Sequence, residues 1–161
     1  MDQNDYQRLS EDGKIVMSCG NDYKGMIVIP EGVTMVREEA FCSCKSITLI
    51  KLPNSVTIIE DKAFEGCTNL TSIEIPNGVT KIRHNAFRNC ISLSSIDIPS
   101  SVTEIGEYAF ADCTSLSSIE IPNSVTKIEG YAFSSCTNLF SNLPAELLRG
   151  KVFVLLPMQR Y

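Results

Sequence analysis

The sequence predicts a β-dominated α/β solenoid with one coil per 23 residues, and three observations carry that reading. First, the chain nearly repeats itself when shifted by 23 residues: prolines recur at Pro30, Pro53, Pro76, Pro99 and Pro122. Ala-Phe pairs recur at Ala40-Phe41, Ala63-Phe64, Ala86-Phe87, Ala109-Phe110 and Ala132-Phe133, and cysteines at Cys44, Cys67, Cys90, Cys113 and Cys136. Self-similarity at a period of 20–50 residues marks a stacked-repeat architecture. Second, each period contains a short alternating apolar run ending in proline. Third, each period then offers a β-branched V-T-x-[VI] run and an Ala-Phe-x-x-Cys turn. The 161 residues suffice for one domain. Residues 1–26 read as an N-terminal cap with a hairpin, 27–144 as five 23-residue repeats, and 145–161 as a C-terminal cap or pairing segment.

The hairpin expectation rests on Asp12-Gly13, set between two short apolar segments in LSEDGKIVMS. Asp-Gly favours a two-residue type I′ turn, which needs positive φ at both central positions. A cap is needed because a terminal coil otherwise exposes its core face. The repeats open with Met26-Ile27-Val28-Ile29-Pro30, and the same slots hold Leu49-Ile50-Lys51-Leu52, Ser72-Ile73-Glu74-Ile75, Ser95-Ile96-Asp97-Ile98 and Ser118-Ile119-Glu120-Ile121. Alternate side chains point inward, so each run is a short strand, and proline ends it because it cannot donate to a ladder. Stacked one per coil, these strands form a parallel sheet with about 4.8 Å between neighbours. The V-T-x-[VI] runs, such as Val79 to Ile82, favour a second extended side. The following Ala-Phe-x-x-Cys-x-x-Leu has the spacing of a short helical or 3₁₀ turn, and its Phe column should fill the wide part of the core. The pattern degrades at Leu139-Phe140-Ser141-Asn142-Leu143-Pro144; beyond it, Val152-Phe153-Val154-Leu155-Leu156 reads as an apolar strand that caps the stack or pairs with a second chain.

Composition excludes several classes. Charged residues are 20% and hydrophobic residues 43%, as in folded soluble proteins. A net charge of −5 leaves no basic surplus for nucleic acid or an anionic membrane surface. No run of 18 apolar residues suggests a membrane span or membrane insertion. The start, Met1-Asp2-Gln3-Asn4-Asp5, lacks the basic and apolar regions of a secretory signal. The expectation is therefore a cell-surface or secreted protein if an export signal lies outside this sequence, and a cytoplasmic one otherwise. Of seven cysteines, five share one repeat slot, which fits a column of small buried hydrophobes with a weak donor better than a disulfide framework. Cys19 and Cys42 fall outside it, and Cys42-Ser43-Cys44 has the wrong spacing for zinc. Thiols in this number point to a reducing or anaerobic setting.

The unit I-P-[NS]-[SG]-V-T-x-I-x-x-x-A-F-x-x-C-x-x-L-x-x-I-x-I resembles the BspA-like, Treponema-type leucine-rich repeat. The resemblance runs from about Ile27 to Leu139, roughly 70% of the chain, and LSEDGKIVMSC looks like the segment that often precedes such repeats. The unit departs from the commoner pattern L-x-x-L-x-L-x-x-N/C-x-L. The resemblance implies a right-handed leucine-rich-repeat solenoid with a parallel sheet on its concave face. It also implies a non-enzymatic protein-binding module, often a surface protein of bacteria or of parasitic or commensal protists, and in some members an adhesin for fibronectin or fibrinogen.

In a repeat array the core slots are fixed by packing, so function is sought in the outward slots. On the first strand these hold Met26 and Val28, then Leu49 and Lys51, an apolar patch; Ser72, Ser95 and Ser118 then form a serine column beside an acidic column of Glu74, Asp97 and Glu120. Carboxylates about 5 Å apart repel by roughly 0.8 kcal/mol per pair even in water. The ladder therefore either awaits a basic or hydroxyl-rich partner or simply keeps the sheet soluble, since Lys51 occupies the same slot. A flat face converges too few oxygens for calcium. Tyr108 and Tyr131 share another slot, filled by Glu39, Lys62 and Asn85 in earlier coils, which suggests an exposed aromatic anchor. Cys42 shares a slot with Glu65 and Arg88, which predicts exposure. His84 is the only histidine, which removes most nucleophile–base pairs, and the Cys90–His84 pair would draw on the structural cysteine column; no catalytic set, cofactor motif or metal set is expected. Asn69-Leu70-Thr71 matches the glycosylation sequon. The two functional readings are adhesion to host or neighbouring-cell proteins, such as host extracellular matrix proteins, and an intracellular interaction scaffold. The chain is expected as a monomer or a weak dimer through its C-terminal strand.

Overall fold

A computed structural model describes residues 7–20 and 23–141. The chain enters through an antiparallel hairpin of β1 (Gln7–Leu9) and β2 (Ile15–Cys19). Its turn is longer than the two-residue form expected. Ser10 N–H donates to the Ile15 carbonyl at 2.9 Å and Gly13 N–H to the Ser10 carbonyl at 2.8 Å. Only Gly13 has positive φ (68°). The Asp12 carboxylate accepts the Ser10 hydroxyl at 2.6 Å and the Lys14 amide at 3.0 Å, bonds that hold its pKa below the ordinary value. That side-chain closure of the turn is what the two-residue reading omitted.

The coils follow. Their first side carries β3 (Gly25–Val28), β5 (Ile47–Lys51), β7 (Ser72–Ile73), β9 (Ser95–Asp97) and β11 (Ser118–Glu120). The second side carries β4 (Met35–Val36), β6 (Ile58–Ile59), β8 (Lys81–Ile82), β10 (Glu104–Ile105) and β12 (Lys127–Ile128). All these strands pair in parallel, in the orders β3-β5-β7 and β9-β11 on the first side and β8-β10-β12 on the second. The hairpin joins the second side: β2 pairs in parallel with β4, which pairs with β6. The cap thus extends a sheet rather than covering it, and Val16 enters the core column fully buried.

The third side of each coil is a chain of turns. Hydrogen bonds run from residue i to i−3, as in Ala86 to Arg83 (3.2 Å), Arg88 to Asn85 (3.1 Å) and Cys90 to Phe87 (3.2 Å). They do not fuse into a helix, because two residues per coil adopt left-handed φ. One column is Glu39, Lys62, Asn85, Tyr108 and Tyr131; the other is Ser43, Gly66, Asn89, Asp112 and Ser135. The intervening amides then aim along the stack instead of along the coil. Phe41, Phe64, Phe87 and Phe110 N–H donate to the carbonyls of Ala63, Ala86, Ala109 and Ala132 at 2.7 to 2.9 Å. Flanking bonds such as Lys62 to His84 and Gly66 to Arg88, both 2.8 Å, complete a ladder on the turn side.

The core lies inside these three sides. Phe41, Phe64, Phe87, Phe110 and Phe133 are fully buried and stack with ring centroids 5.2 to 5.4 Å apart. Their offset from the strand spacing is small, so one ring per coil continues the column from layer to layer. The cysteine column also makes hydrogen bonds. The thiols of Cys67, Cys90, Cys113 and Cys136 donate to the carbonyls of Phe41, Phe64, Phe87 and Phe110 at 3.1 to 3.2 Å. Each carbonyl also accepts the amide of the cysteine three residues on in its own coil, so the thiol supplies a second bond to the remaining lone pair, which alanine could not. A five-residue helix, α1 (Thr137–Ser141), ends the described part. The expected C-terminal cap or pairing segment lies outside the described residues.

Candidate partner-binding face

The first side presents the outward slots to solvent. Met26 and Val28 are each 40% exposed, and Lys51, Ser72, Glu74, Ser95, Asp97, Ser118 and Glu120 are exposed, while Leu49 is half-buried. Parallel pairing puts like slots side by side: Val28 opposite Lys51, Leu49 opposite Ser72, Ser95 opposite Ser118 and Asp97 opposite Glu120. Beside them the Thr71 hydroxyl donates to the Thr48 carbonyl at 2.9 Å and the Ser117 hydroxyl to the Ser94 carbonyl at 3.3 Å. The face is thus a strip, apolar at its N-terminal end and acidic and hydroxyl-bearing further on. Next to Glu74 lies a recess of about 220 Å³, lined by Glu31, Leu52, Pro53, Asn54 and Pro76.

The other two sides handle charge differently. On the second side Glu104 accepts Lys81 at 2.7 Å and Lys127 at 2.8 Å, and Lys127 reaches Glu129 at 2.7 Å. Hydrogen bonds from Lys127 and then Lys81 pull the Glu104 pKa down to about 2, and those to Glu104 and Glu129 raise that of Lys127. On the turn side Lys62 meets Glu39 at 2.9 Å, His84 meets Glu107 at 3.1 Å, and Arg88 sits 3.9 Å from Glu65 and 3.6 Å from Asp112. A cleft of about 180 Å³ on these sides is lined by Asp61, Lys81, Arg83, His84, Glu104 and Glu129, largely the same paired groups. Every ion pair among the described residues lies off the first side; Lys51, Glu74, Asp97 and Glu120 make none.

Tyr108 and Tyr131 are not part of the strand face. They stack on the turn side with centroids 5.1 Å apart and 6° between planes, and the Arg88 guanidinium lies 5.5 Å over the Tyr108 ring. Exposure in this slot is uneven: Tyr131 is 48% exposed, Tyr108 is half-buried between its neighbours, and Asn85 is buried at 9%. What unites the slot is its left-handed backbone, a property that Glu, Lys and Tyr do not announce. Cys42 is half-buried rather than exposed, with its sulfur 3.9 Å from the Ser43 hydroxyl. Burial raises its thiol pKa. Cys90 and His84 are engaged elsewhere. The Cys90 thiol bonds the Phe64 carbonyl, with its pKa pushed well up by burial, and His84 faces Glu107. The Asn69 amide donates to the Lys45 carbonyl at 2.7 Å. No cluster of potential metal ligands occurs among the described residues, and no helix among them is long and apolar enough to cross a membrane.

Comparison with known proteins agrees with this geometry. Among curated proteins, none matches the chain. The fold resembles the crystal structure of the Treponema pallidum leucine-rich repeat protein TpLRR: TM-score 0.76 and 37% identity, over 84% of this chain and 67% of that one. A leucine-rich cell surface protein from Faecalibacterium prausnitzii matches at TM-score 0.78 and 39% identity, over 83% of this chain and 36% of that one. A Bacteroides ovatus leucine-rich repeat protein matches at TM-score 0.73 and 32% identity, over 86% and 39%. The chain therefore spans little more than a third of the length of the latter two. The repeat profile described as the BspA type leucine rich repeat region matches in six copies across residues 21–143. The chain belongs to the BspA-type leucine-rich repeat family, a family whose fold serves typically as a protein-interaction module.

Proposed function

We propose that this chain is a non-enzymatic adhesion module that binds proteins of a host or a neighbouring cell, at the cell surface, through the outward side of its first sheet. One observation carries the reading: every ion pair among the described residues lies on the other two sides, while Lys51, Glu74, Asp97 and Glu120 make none on the strand face. Unpaired like charges held in register cost stability and gain it back only against a complementary surface. The recess between Glu31 and Glu74 suits the end of a lysine or arginine side chain, and Met26, Val28 and Leu49 offer apolar contact at the other end of the strip. Support also comes from the family and from the cell-surface designation of the Faecalibacterium prausnitzii relative. Tyr108 and Tyr131 form a second, smaller candidate contact on the turn side.

The test is a pull-down with the purified chain as bait, run against fibronectin and fibrinogen and, in parallel, against lysate of the source cell. A second bait carries Glu74→Lys, Asp97→Lys and Glu120→Lys. Capture of matrix protein by the wild type and not by the variant is expected. Capture from lysate alone would replace adhesion with an intracellular scaffold role. Equal capture by both baits would move the site to the tyrosine pair or beyond.

A further inference from the structure

The outward face of the first sheet is long and narrow. Its strands hold only two to five residues, so each coil adds one row of two outward slots. The last three rows are Ser72 with Glu74, Ser95 with Asp97 and Ser118 with Glu120, and all six residues are exposed. The three carboxylates belong to none of the ion pairs among the described residues. A basic head group placed over any of these rows meets a carboxylate and a hydroxyl together. At the first of them the recess adds Glu31 opposite Glu74. The first two rows are apolar except for Lys51.

Spacing decides what kind of chain can use this ladder. Successive coils lie 5.2 to 5.4 Å apart along the phenylalanine column. Paired strands lie about 4.8 Å apart, so the three acidic slots span roughly 10 to 11 Å. An extended partner returns a side chain to one face every two residues, about 6.7 Å, and overshoots to about 13 Å over the same two steps. An α-helix returns one every turn, about 5.4 Å, and reaches about 10.5 Å from i to i+7. Strand addition is closed for another reason: it needs a free sheet edge, and a face offers only side chains. We infer, on the reading that this face is the binding surface, that its partner is a basic amphipathic α-helix laid along the stack. Lysine or arginine on three successive turns sits over Glu74, Asp97 and Glu120, and apolar residues on the two adjoining turns sit over Met26, Val28 and Leu49. Lys51 repels a fourth basic residue at the second coil. A helix of about 15 residues covers the five coils.

The probe is a synthetic peptide of about 15 residues with leucine at i−7 and i−4 and lysine at i, i+3 and i+7 on an alanine and glutamine background. Two control peptides carry the same charges: one has a central proline that breaks the helix, and the other sets its lysines at alternate positions. Each is titrated into the full chain and followed by fluorescence anisotropy and circular dichroism. The helical peptide is expected to bind at least about tenfold more tightly than either control. It should gain helicity on binding, since so short a helix is marginal alone, and should weaken as salt is raised. A chain carrying Glu74→Lys, Asp97→Lys and Glu120→Lys should lose this binding, while one carrying Thr114→Lys and Thr137→Lys should keep it. Either control peptide binding as tightly as the helical one, yet lost in the strand-face variant, would overturn the helix while the face stood as the site. Undiminished binding to the strand-face variant would overturn the face as well. Failure of the helical peptide to bind the wild type would overturn the inferred partner.

Discussion

The strand face and the turn side are built by the same 23-residue unit, yet they obey different rules. On the turn side each coil repeats the last in backbone and core: Phe on Phe at 5.2 to 5.4 Å, thiol to carbonyl at 3.1 to 3.2 Å, amide to carbonyl across the coils. Several of its charges find partners one coil away, as Lys62 does in Glu39 and Arg88 in Glu65 and Asp112. On the strand face the inward isoleucines repeat, but the outward slots drift from Met26 and Val28 to Ser118 and Glu120, and the charges there stay unpaired. The contrast separates two uses of repetition. One side repeats to hold the stack together, and the other repeats to hold variable side chains at a fixed spacing.

The sharpest way to break the turn side is at its core. Phe87→Ala removes a ring sandwiched between Phe64 and Phe110 and should destabilise by about 3–5 kcal/mol, read as a lowered denaturation midpoint. Cys90→Ala removes a fully buried sulfur and its bond to the Phe64 carbonyl, which keeps the Cys67 amide, so a smaller loss of about 1–2 kcal/mol is expected in the same melt. Gly106→Ala tests the close approach of coils: an added Cβ would lie 2.9 Å from the Arg83 carbonyl carbon and the His84 nitrogen. Backbone cannot yield as a side chain does, and about 1–3 kcal/mol of overpacking should appear.

Glu104 gives a pH signature. Its folded pKa of about 2 lies below the ordinary 4.5, because Lys127 and Lys81 favour the ionised form. A depressed carboxylate contributes stability above its unfolded pKa and loses it as pH falls toward the folded one. The melting difference between wild type and Glu104→Gln should therefore be present at neutral pH and shrink from about pH 4.5 to about pH 2. A difference that persists unchanged at pH 2 would show the ion pairs to be irrelevant. The smallest stability effect belongs to the strand face. Glu74→Lys, Asp97→Lys and Glu120→Lys break no ion pair and turn like-charge repulsion into attraction, so each should stabilise slightly, by up to about 1 kcal/mol, with Asp97→Lys the largest.

Much of this contrast was legible in the sequence. Period 23 fixed which positions lie inside, because packing permits Phe64, Cys67, Leu70, Ile73 and Ile75 few replacements. The outward strand slots followed from alternation, so Ser95 and Asp97 stand where a period of two puts them. Three features stayed hidden. The left-handed column through Glu39, Lys62 and Tyr108 carries no glycine or asparagine signature except Asn85, because inter-coil hydrogen bonds override local preference there. In the parallel column Ser43, Gly66, Asn89 and Asp112 do read as turn residues, and they were the available clue. The parallel pairing of β2 with β4 joins a cap to a coil, which no repeat spacing encodes. The identity of a partner is silent for a further reason: scaffold residues define the family, and none of them names a ligand.

The most direct test titrates fibronectin against three chains: wild type, the triple strand-face reversal, and a control with Thr114→Lys and Thr137→Lys. Lys45 occupies the control slot naturally in the first coil, so added lysines there are compatible with the fold. All three chains are first shown to melt cooperatively. The account predicts that the strand-face variant loses at least about 100-fold in affinity while the control binds as the wild type does. Loss in the control with the strand-face variant unaffected would contradict the account, and would place the partner on the turn side.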